Sequence, residues 1–327
     1  MATAVALAMG ESPKIESRKM IKLPDMSDHI WFNSAPLRSE DLKGKVVLYD
    51  FWTYSCVNCQ RTFPYLRKWW DKYKDKGLIL IGIHTPEFEF EKNPKNVEAA
   101  LKEFNITWPV VLDNNYFLWD NFANRFWPAK YLVDKEGDLV YTHFGEGNYA
   151  ETEKAIQALL KDVSFPTIVG LPRIEPEPKT TAVCIPFTPE TYCGYSRGRI
   201  SNPGGYYQDR INDYVSLEVI AQDTIALQGK FLATREYVQS EEEGATLYLN
   251  FRATEVNLVM KPANDRATIE IMLNGKRLKE LTIESATMYN LIKSKTPLSG
   301  ILSIKAVASK FQAYVFYLSI NAPGNLL

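Results

Sequence analysis

An α/β domain built on a central mixed sheet flanked by helices, followed by an all-β jelly-roll or sandwich domain, is the architecture this sequence predicts. Three observations carry it. Up to residue 161, short apolar runs alternate with amphipathic helical stretches, the pattern of a sheet layered with helices. A proline-dense stretch then spans 164–190, holding Pro166, Pro172, Pro176, Pro178, Pro186 and Pro189. Beyond about residue 210 only strand-like segments recur, at the short spacing of all-β sandwiches. The 327 residues, 46% of them hydrophobic, are too many for one comfortable domain and rich enough for two cores. The expected divisions are a disordered or tag-like start at 1–25, the α/β domain at 26–163, a linker at 164–190 and a β-module at 191–327.

Residues 45–52 (KVVLYDFW) read as a buried strand. Residues 58–76 read as a helix, with Pro64 as an internal kink and Gly77 as its end. A second buried strand follows at 78–84 (LILIGIH), then an amphipathic helix at 96–104. Residues 108–112 are β-like, 116–124 helical, and 130–134 and 139–144 form a hairpin about the Lys135-Glu136-Gly137-Asp138 turn. A helix at 152–161 closes the domain. The order β-α-β-α-β-α-β-β-α implies a parallel core with an antiparallel hairpin at its end. In the β-module the candidate strands are 215–220, 230–235, 246–253, 255–261, 268–273, 278–283, 300–306 and 312–320. Asn274-Gly275 between two of them is a tight-hairpin signal.

Charge excludes little but points nowhere exotic. Lys and Arg number 38 against 39 Asp and Glu, for a net charge of −1, and no basic run suggests nucleic acid. No apolar run nears the roughly 20 residues of a membrane helix. The first nine residues are mildly apolar, without the basic n-region and full h-region of a signal peptide.

The chemistry lies in Asp50-Phe51-Trp52-Thr53-Tyr54-Ser55-Cys56-Val57-Asn58-Cys59, where a buried strand ends and a helix begins. A helix N-terminus presents unpaired N–H groups and positive potential, which stabilise a thiolate. Cys56 is therefore the expected nucleophile. Cys59, one turn inward, suits the resolving thiol that attacks a mixed disulfide. Zinc would need two further ligands, and His29, His84, His143, Cys184 and Cys193 show no knuckle spacing, so no metal is expected. The dipeptide Val57-Asn58 carries no histidine or lysine to stabilise a thiolate further, which favours a reductase over an oxidase.

These residues resemble the thioredoxin superfamily at several points. Asp50 stands six residues before Cys56, where the resemblance implies a buried acid that moves the resolving cysteine's proton; an ordinary strand-end carboxylate is the alternative. Trp52 takes the position flanking the active site. Pro64 matches a structural proline of the active-site helix. Trp127-Pro128, just before the strand at 130–134, resembles the family's cis-proline pair, whose leading residue binds substrate peptide.

The segments 50–66, 84–91 (HTPEFEFE), 126–133 (FWPAKYLV) and 143–147 (HFGEG) are similar to the soluble region of DipZ-type oxidoreductases, which are TlpA/ResA-like. The resemblance runs from about residue 30 to the end and is weaker over the β-module. There it rests on 189–195 (PETYCGY), the strand pattern and the ending. It implies a protein-disulfide reductase whose one redox group is the Cys56–Cys59 disulfide, with no other cofactor. It also implies electrons from a membrane donor of the CcdA/DsbD type, oxidised substrate proteins as clients, and a periplasmic or other extracytoplasmic home. A cytoplasmic home also suits such a reductase. Glu87, after the second strand, has either a steering or proton-relay role or that of a solvated loop carboxylate.

The remaining features leave alternatives open. Cys184 and Cys193 either close a small disulfide loop or remain free thiols. The β-module resembles a carbohydrate-binding module. Its aromatics, Tyr206, Tyr207, Tyr237, Tyr248, Tyr289, Phe311, Tyr314, Phe316 and Tyr317, would serve a glycan platform or a core. A thiol peroxidase is a second function class, though Tyr49 stands where peroxiredoxins keep proline. A glycan- or protein-binding protein with an accessory redox domain is the third.

Overall fold

The computed structural model describes residues 26–162, 187–215 and 217–319. The expected N-terminal start, most of the expected linker and Cys184 lie outside the described residues. The described chain divides into two compact units that do not follow its linear order. The first holds residues 26–51, 65–83 and 108–162; the second holds 52–64, 84–107 and the described residues from 187 on.

The first unit carries most of a six-stranded mixed sheet. Over residues 26–162 the elements in chain order are β1 (Trp31–Phe32), α1 (Ser39–Leu42), β2 (Val46–Trp52), α2 (Val57–Tyr73), β3 (Leu78–His84), α3 (Pro94–Glu103), β4 (Val110–Leu112), α4 (Phe117–Asn121), β5 (Ala129–Val133), β6 (Leu139–Phe144) and α5 (Tyr149–Leu160); α3 and the start of α2 fall in the second unit. The strand order is β1-β4-β3-β2-β5-β6, with β5 antiparallel to both β2 and β6. All seven residues of β2 are buried, which is why it reads as an apolar run interrupted only by Asp50 rather than an alternation. Val47, Tyr49 and Phe51 pack on one face with Ile81, Ile83, Tyr131 and Val133; Asp50 points to the other face. After Tyr73 the helix tightens to a 3-10 turn and ends at Gly77, whose φ of 101° is left-handed. Asp113 starts α4 by accepting the backbone N–H groups of Leu118 (2.8 Å) and Trp119 (2.9 Å).

The second unit is dominated by an antiparallel sheet: β7 (Thr191–Tyr192), β8 (Ile211–Tyr214), β9 (Ile225–Ala233), β10 (Val238–Ser240), β11 (Thr246–Pro262), β12 (Ala267–Leu273), β13 (Lys276–Ile283), β14 (Thr287–Ala308) and β15 (Phe311–Ser319). The strands expected at 246–253 and 255–261 are one strand, β11, of 17 residues. A register shift between Ala253 and Glu255 moves its inward positions from Leu247, Leu249, Phe251 and Ala253 to Val256, Leu258 and Met260. Without that bulge one half of the strand would turn its apolar side chains to solvent. The first half of β11 pairs with β9 and the second with β15, while β10 joins β9 to β15, so the sheet closes a ring around its core. The segment at 300–306 is the end of the longer β14, and 230–235 overlaps the end of β9. No strand forms at 217–220; the strand lies earlier, at Ile211–Tyr214, and Val215 and Val219 are exposed. Asn274 (φ 50°) and Gly275 (φ 76°) make the hairpin between β12 and β13, both in the left-handed region that turn requires.

Candidate active site

β2 ends at Trp52, Thr53 to Ser55 turn the chain, and Cys56 stands immediately before α2. The Cys56 N–H bonds back to Thr53 O at 3.4 Å, and the Gln60 side chain donates to Tyr54 O at 2.8 Å, pinning the turn to the helix. The Cys59 N–H, in the helix's first turn, donates to Cys56 Sγ at 3.4 Å. A backbone donor thus points at the first sulfur, the geometry that favours negative charge there. Cys56 is 4% exposed and Cys59 fully buried, and no disulfide joins them.

The wall behind this turn comes from 84–91. His84 is fully buried, lies flat on the Tyr54 ring at 5.7 Å and sits 3.4 Å from Thr53 Oγ1; burial lowers it to about 3, so it stays neutral. Trp52 is 1% exposed and wedged edge-on against Phe63 and His84. Its side chain braces the turn.

Glu87 is not solvated. Its side chain is 5% exposed, and three donors hold it: Arg197 Nη1 (2.9 Å) and Tyr192 OH (3.0 Å) on Oε1, and Tyr317 OH (2.8 Å) on Oε2. All these residues belong to the second unit. The Arg197 guanidinium lies 3.7 Å over the Tyr192 ring. The Tyr317 phenol is raised well above its ordinary value by burial first, then by Glu87, then by Cys56.

Glu91 was not singled out by the sequence. It is fully buried and accepts four hydrogen bonds, two of them from Ser55. Burial, and next the Glu87 charge, raise it to about 7. The one signal available was the acid–aromatic alternation of HTPEFEFE, which reads equally well as a surface strand.

In the first unit, Asp50 is fully buried opposite Lys130 in the β2–β5 register, with Lys130 Nζ 3.3 Å from Oδ1. Burial raises the Asp50 carboxyl and Lys130 pulls it back down. The Trp127–Pro128 peptide is cis, and the Trp127 ring packs 4.2 Å from Trp119. In the β-module Cys193 is buried in the core, and of the nine aromatics named above Tyr207 alone is exposed. Among the described residues no helix is long and apolar enough to cross a membrane.

A C-x-x-C at a strand-to-helix turn of such a sheet defines a thioredoxin-like protein. The chain carries thioredoxin-like domains: residues 22–160 match the family described as Redoxin, and residues 188–317 match the family described as thioredoxin like C-terminal domain. It is 37% identical over 252 residues to Protein DipZ of Mycobacterium bovis, an alignment covering 75% of this chain and 35% of that protein. The chain thus spans about a third of the length of its DipZ relatives. It is 29% identical over 141 residues to the thiol-disulfide oxidoreductase YkuV of Bacillus subtilis (43% of this chain, 95% of YkuV). It is also 29% identical over 120 residues to ResA of Bacillus cereus (37% of this chain, 66% of ResA).

Proposed function

We propose that this protein is a thiol–disulfide oxidoreductase that reduces disulfides of client proteins by a dithiol/disulfide cycle at Cys56 and Cys59. The observation that carries the reading is the Cys59 N–H directed at Cys56 Sγ across 3.4 Å, with the second thiol buried behind the first. The Cys56 thiolate attacks a client disulfide; one client sulfur leaves as a thiolate and a mixed disulfide forms. Cys59 loses its proton and attacks Cys56, closing the intramolecular disulfide and releasing the second client thiol. The resemblance gives Asp50 the Cys59 proton and gives Trp127 and Pro128 the client backbone. Glu87 is fixed by Arg197, Tyr192 and Tyr317 rather than loose in a loop.

Kinship with DipZ supports an extracytoplasmic site of action and a CcdA/DsbD-like membrane protein as the source of electrons. The deciding experiment equilibrates the Cys56–Cys59 pair in thiol/disulfide buffers, with alkylation and mass mapping. A potential near thioredoxin's, about −270 mV, makes the protein a reductant; one near DsbA's, about −120 mV, makes it an oxidant and reverses the flow. A pair that never cycles removes the reading.

A further inference from the structure

The carboxylates grouped with the redox turn mostly have strong partners. Glu87 holds three donors, Glu91 accepts four hydrogen bonds, and Glu255 pairs with Arg61 at 3.3 Å. Glu190 differs. It is exposed and accepts from two neutral donors, the Asn58 amide and the Tyr192 hydroxyl, each at 3.4 Å. Among the described residues no lysine or arginine forms an ion pair with it. Arg197, whose charge also acts on Glu190, is paired with Glu87 at 2.9 Å. An ionised carboxylate offers about four lone-pair sites, so Glu190 keeps room for a cation.

Glu190 and the Cys56–Cys59 turn belong to the same compact unit. Asn58 stands between the two cysteines, and the next N–H, that of Cys59, lies 3.4 Å from Cys56 Sγ. Covalent geometry from that N–H, through the Asn58 side chain and its contact, keeps the Glu190 carboxylate within about 13 Å of Cys56 Sγ. That is about four residues of extended chain, so side chains flanking a client cysteine at Cys56 are long enough to meet Glu190. The backbone carrying Glu190 is fixed on both sides. The Thr188 N–H donates to Arg252 O at 2.9 Å, and Thr188 Oγ1 accepts the Arg252 N–H at 2.8 Å. Thr191 pairs with Phe316 in the sheet, and its hydroxyl donates to Pro189 O at 2.9 Å. Both threonines are buried, with exposed Glu190 between them. A charge on an ordered backbone binds a ligand at lower entropic cost than one on a loose loop.

We propose that Glu190 is a specificity-determining residue that favours client disulfides flanked by lysine or arginine. The proposal rests on the Cys56–Cys59 cycle above and names the class of client that cycle prefers. The client cation pairs with Glu190 while its cystine sulfur lies at Cys56. A net charge of −1 gives the whole chain little steering field, so the preference is local to this carboxylate. An exposed ion pair changes an affinity by about fivefold at most, a like charge opposes binding by a similar factor, and salt screens both.

The test uses the full chain in its dithiol form and three disulfide peptides of one length, their cysteines flanked by lysine, alanine or glutamate. Each kcat/KM is divided by the rate at which dithiothreitol reduces the same peptide, which removes the peptide's own reactivity. At low salt the wild type is expected to favour the lysine peptide over the glutamate peptide by about five- to tenfold, with alanine between them and the order fading at high salt. Glu190→Gln should bring the three within about twofold of one another, and Glu190→Lys should invert the order. A misfolded variant cannot produce an inversion, so that result separates recognition from structure. Equal rates on the three peptides in the wild type, an order that survives in both variants, or a uniform loss on all three peptides overturns the proposal and leaves the oxidoreductase reading standing. A Cys56–Cys59 pair that mass mapping shows never to cycle removes that reading and this one with it.

Discussion

The Tyr317 hydroxyl donates to Glu87 Oε2 at 2.8 Å, joining the last strand of the C-terminal sheet to the loop that follows β3, within one compact unit. On the other carboxylate oxygen stand Arg197 and Tyr192. Glu87 thus completes a buried polar cluster in which removing any member leaves another short of a partner. Tyr317→Phe keeps the ring and deletes one neutral donor, so it should cost about 1–2 kcal/mol of unfolding free energy. Glu87→Gln also removes the negative charge that pairs with Arg197 and should cost more, about 2–3 kcal/mol. Urea unfolding of the two variants checks the order. Insulin reduction separates structure from chemistry: unchanged turnover in Glu87→Gln would confine the residue to holding the cluster.

Asp50 and Lys130 form a buried pair at 3.3 Å, with side chains 1% and 0% exposed. Breaking one side of such a pair typically costs about 3–5 kcal/mol, whereas replacing both by apolar groups is often near neutral. Asp50→Leu alone and Lys130→Met alone should therefore each destabilise strongly, and the double variant should recover at least about 2 kcal/mol of the sum. The double variant also isolates the proposed proton role. A stable protein whose mixed disulfide resolves at least tenfold more slowly supports Asp50 as the acceptor for Cys59. Normal resolution would reduce Asp50 to half of a structural pair.

What the sequence disclosed follows the range of the interactions involved. The strand, the C-x-x-C and the helix are contiguous, so Cys56 and Cys59 could be read from local pattern alone. The Asn274-Gly275 hairpin was legible because two adjacent residues need left-handed backbone. β11 looked like two strands because the shift between Ala253 and Glu255 breaks the alternation that marks a single one. The first half of β14 was passed over because residues 287–299 are polar and mostly part-exposed, although they pair with β11. Glu91 was invisible for a different reason. Its burial depends on a 3-10 turn folding back onto Ser55, 36 residues away, which no local pattern encodes.

Two buried groups should give stability opposite pH dependences. Glu91 is raised from the ordinary 4.5 to about 7. Between those values the native state binds more proton than the unfolded chain, so the contribution is complete below 4.5 and lost as pH rises through 7, roughly 3 kcal/mol in all. His84 is lowered from 6.5 to about 3, so its contribution is present above 6.5 and lost as pH falls toward 3, roughly 4–5 kcal/mol at the limit. Denaturant unfolding of wild type, Glu91→Gln and His84→Phe at pH 5.5 and 8 resolves the two. Relative to wild type, Glu91→Gln should lose more stability at pH 5.5 than at 8. His84→Phe should show the reverse.

Cys193 supplies a probe of the second unit that is independent of the redox pair. It is buried among Phe231, Val238 and the inner face of β11, and burial pushes its thiol well above the usual range. A protonated, inaccessible thiol reacts with alkylating agents only after the surrounding structure opens. Native protein treated with iodoacetamide should therefore label Cys56 first. Cys193 should be labelled only in denaturant, over the same concentration range in which the sheet's circular dichroism is lost. Cys193→Ala should cost about 1 kcal/mol for the lost packing, and Cys193→Ser more, because the added hydroxyl enters an apolar core without an arranged partner. Labelling of Cys193 under native conditions at a rate near that of Cys56 would show that this core opens locally at low cost, against the close packing seen around it.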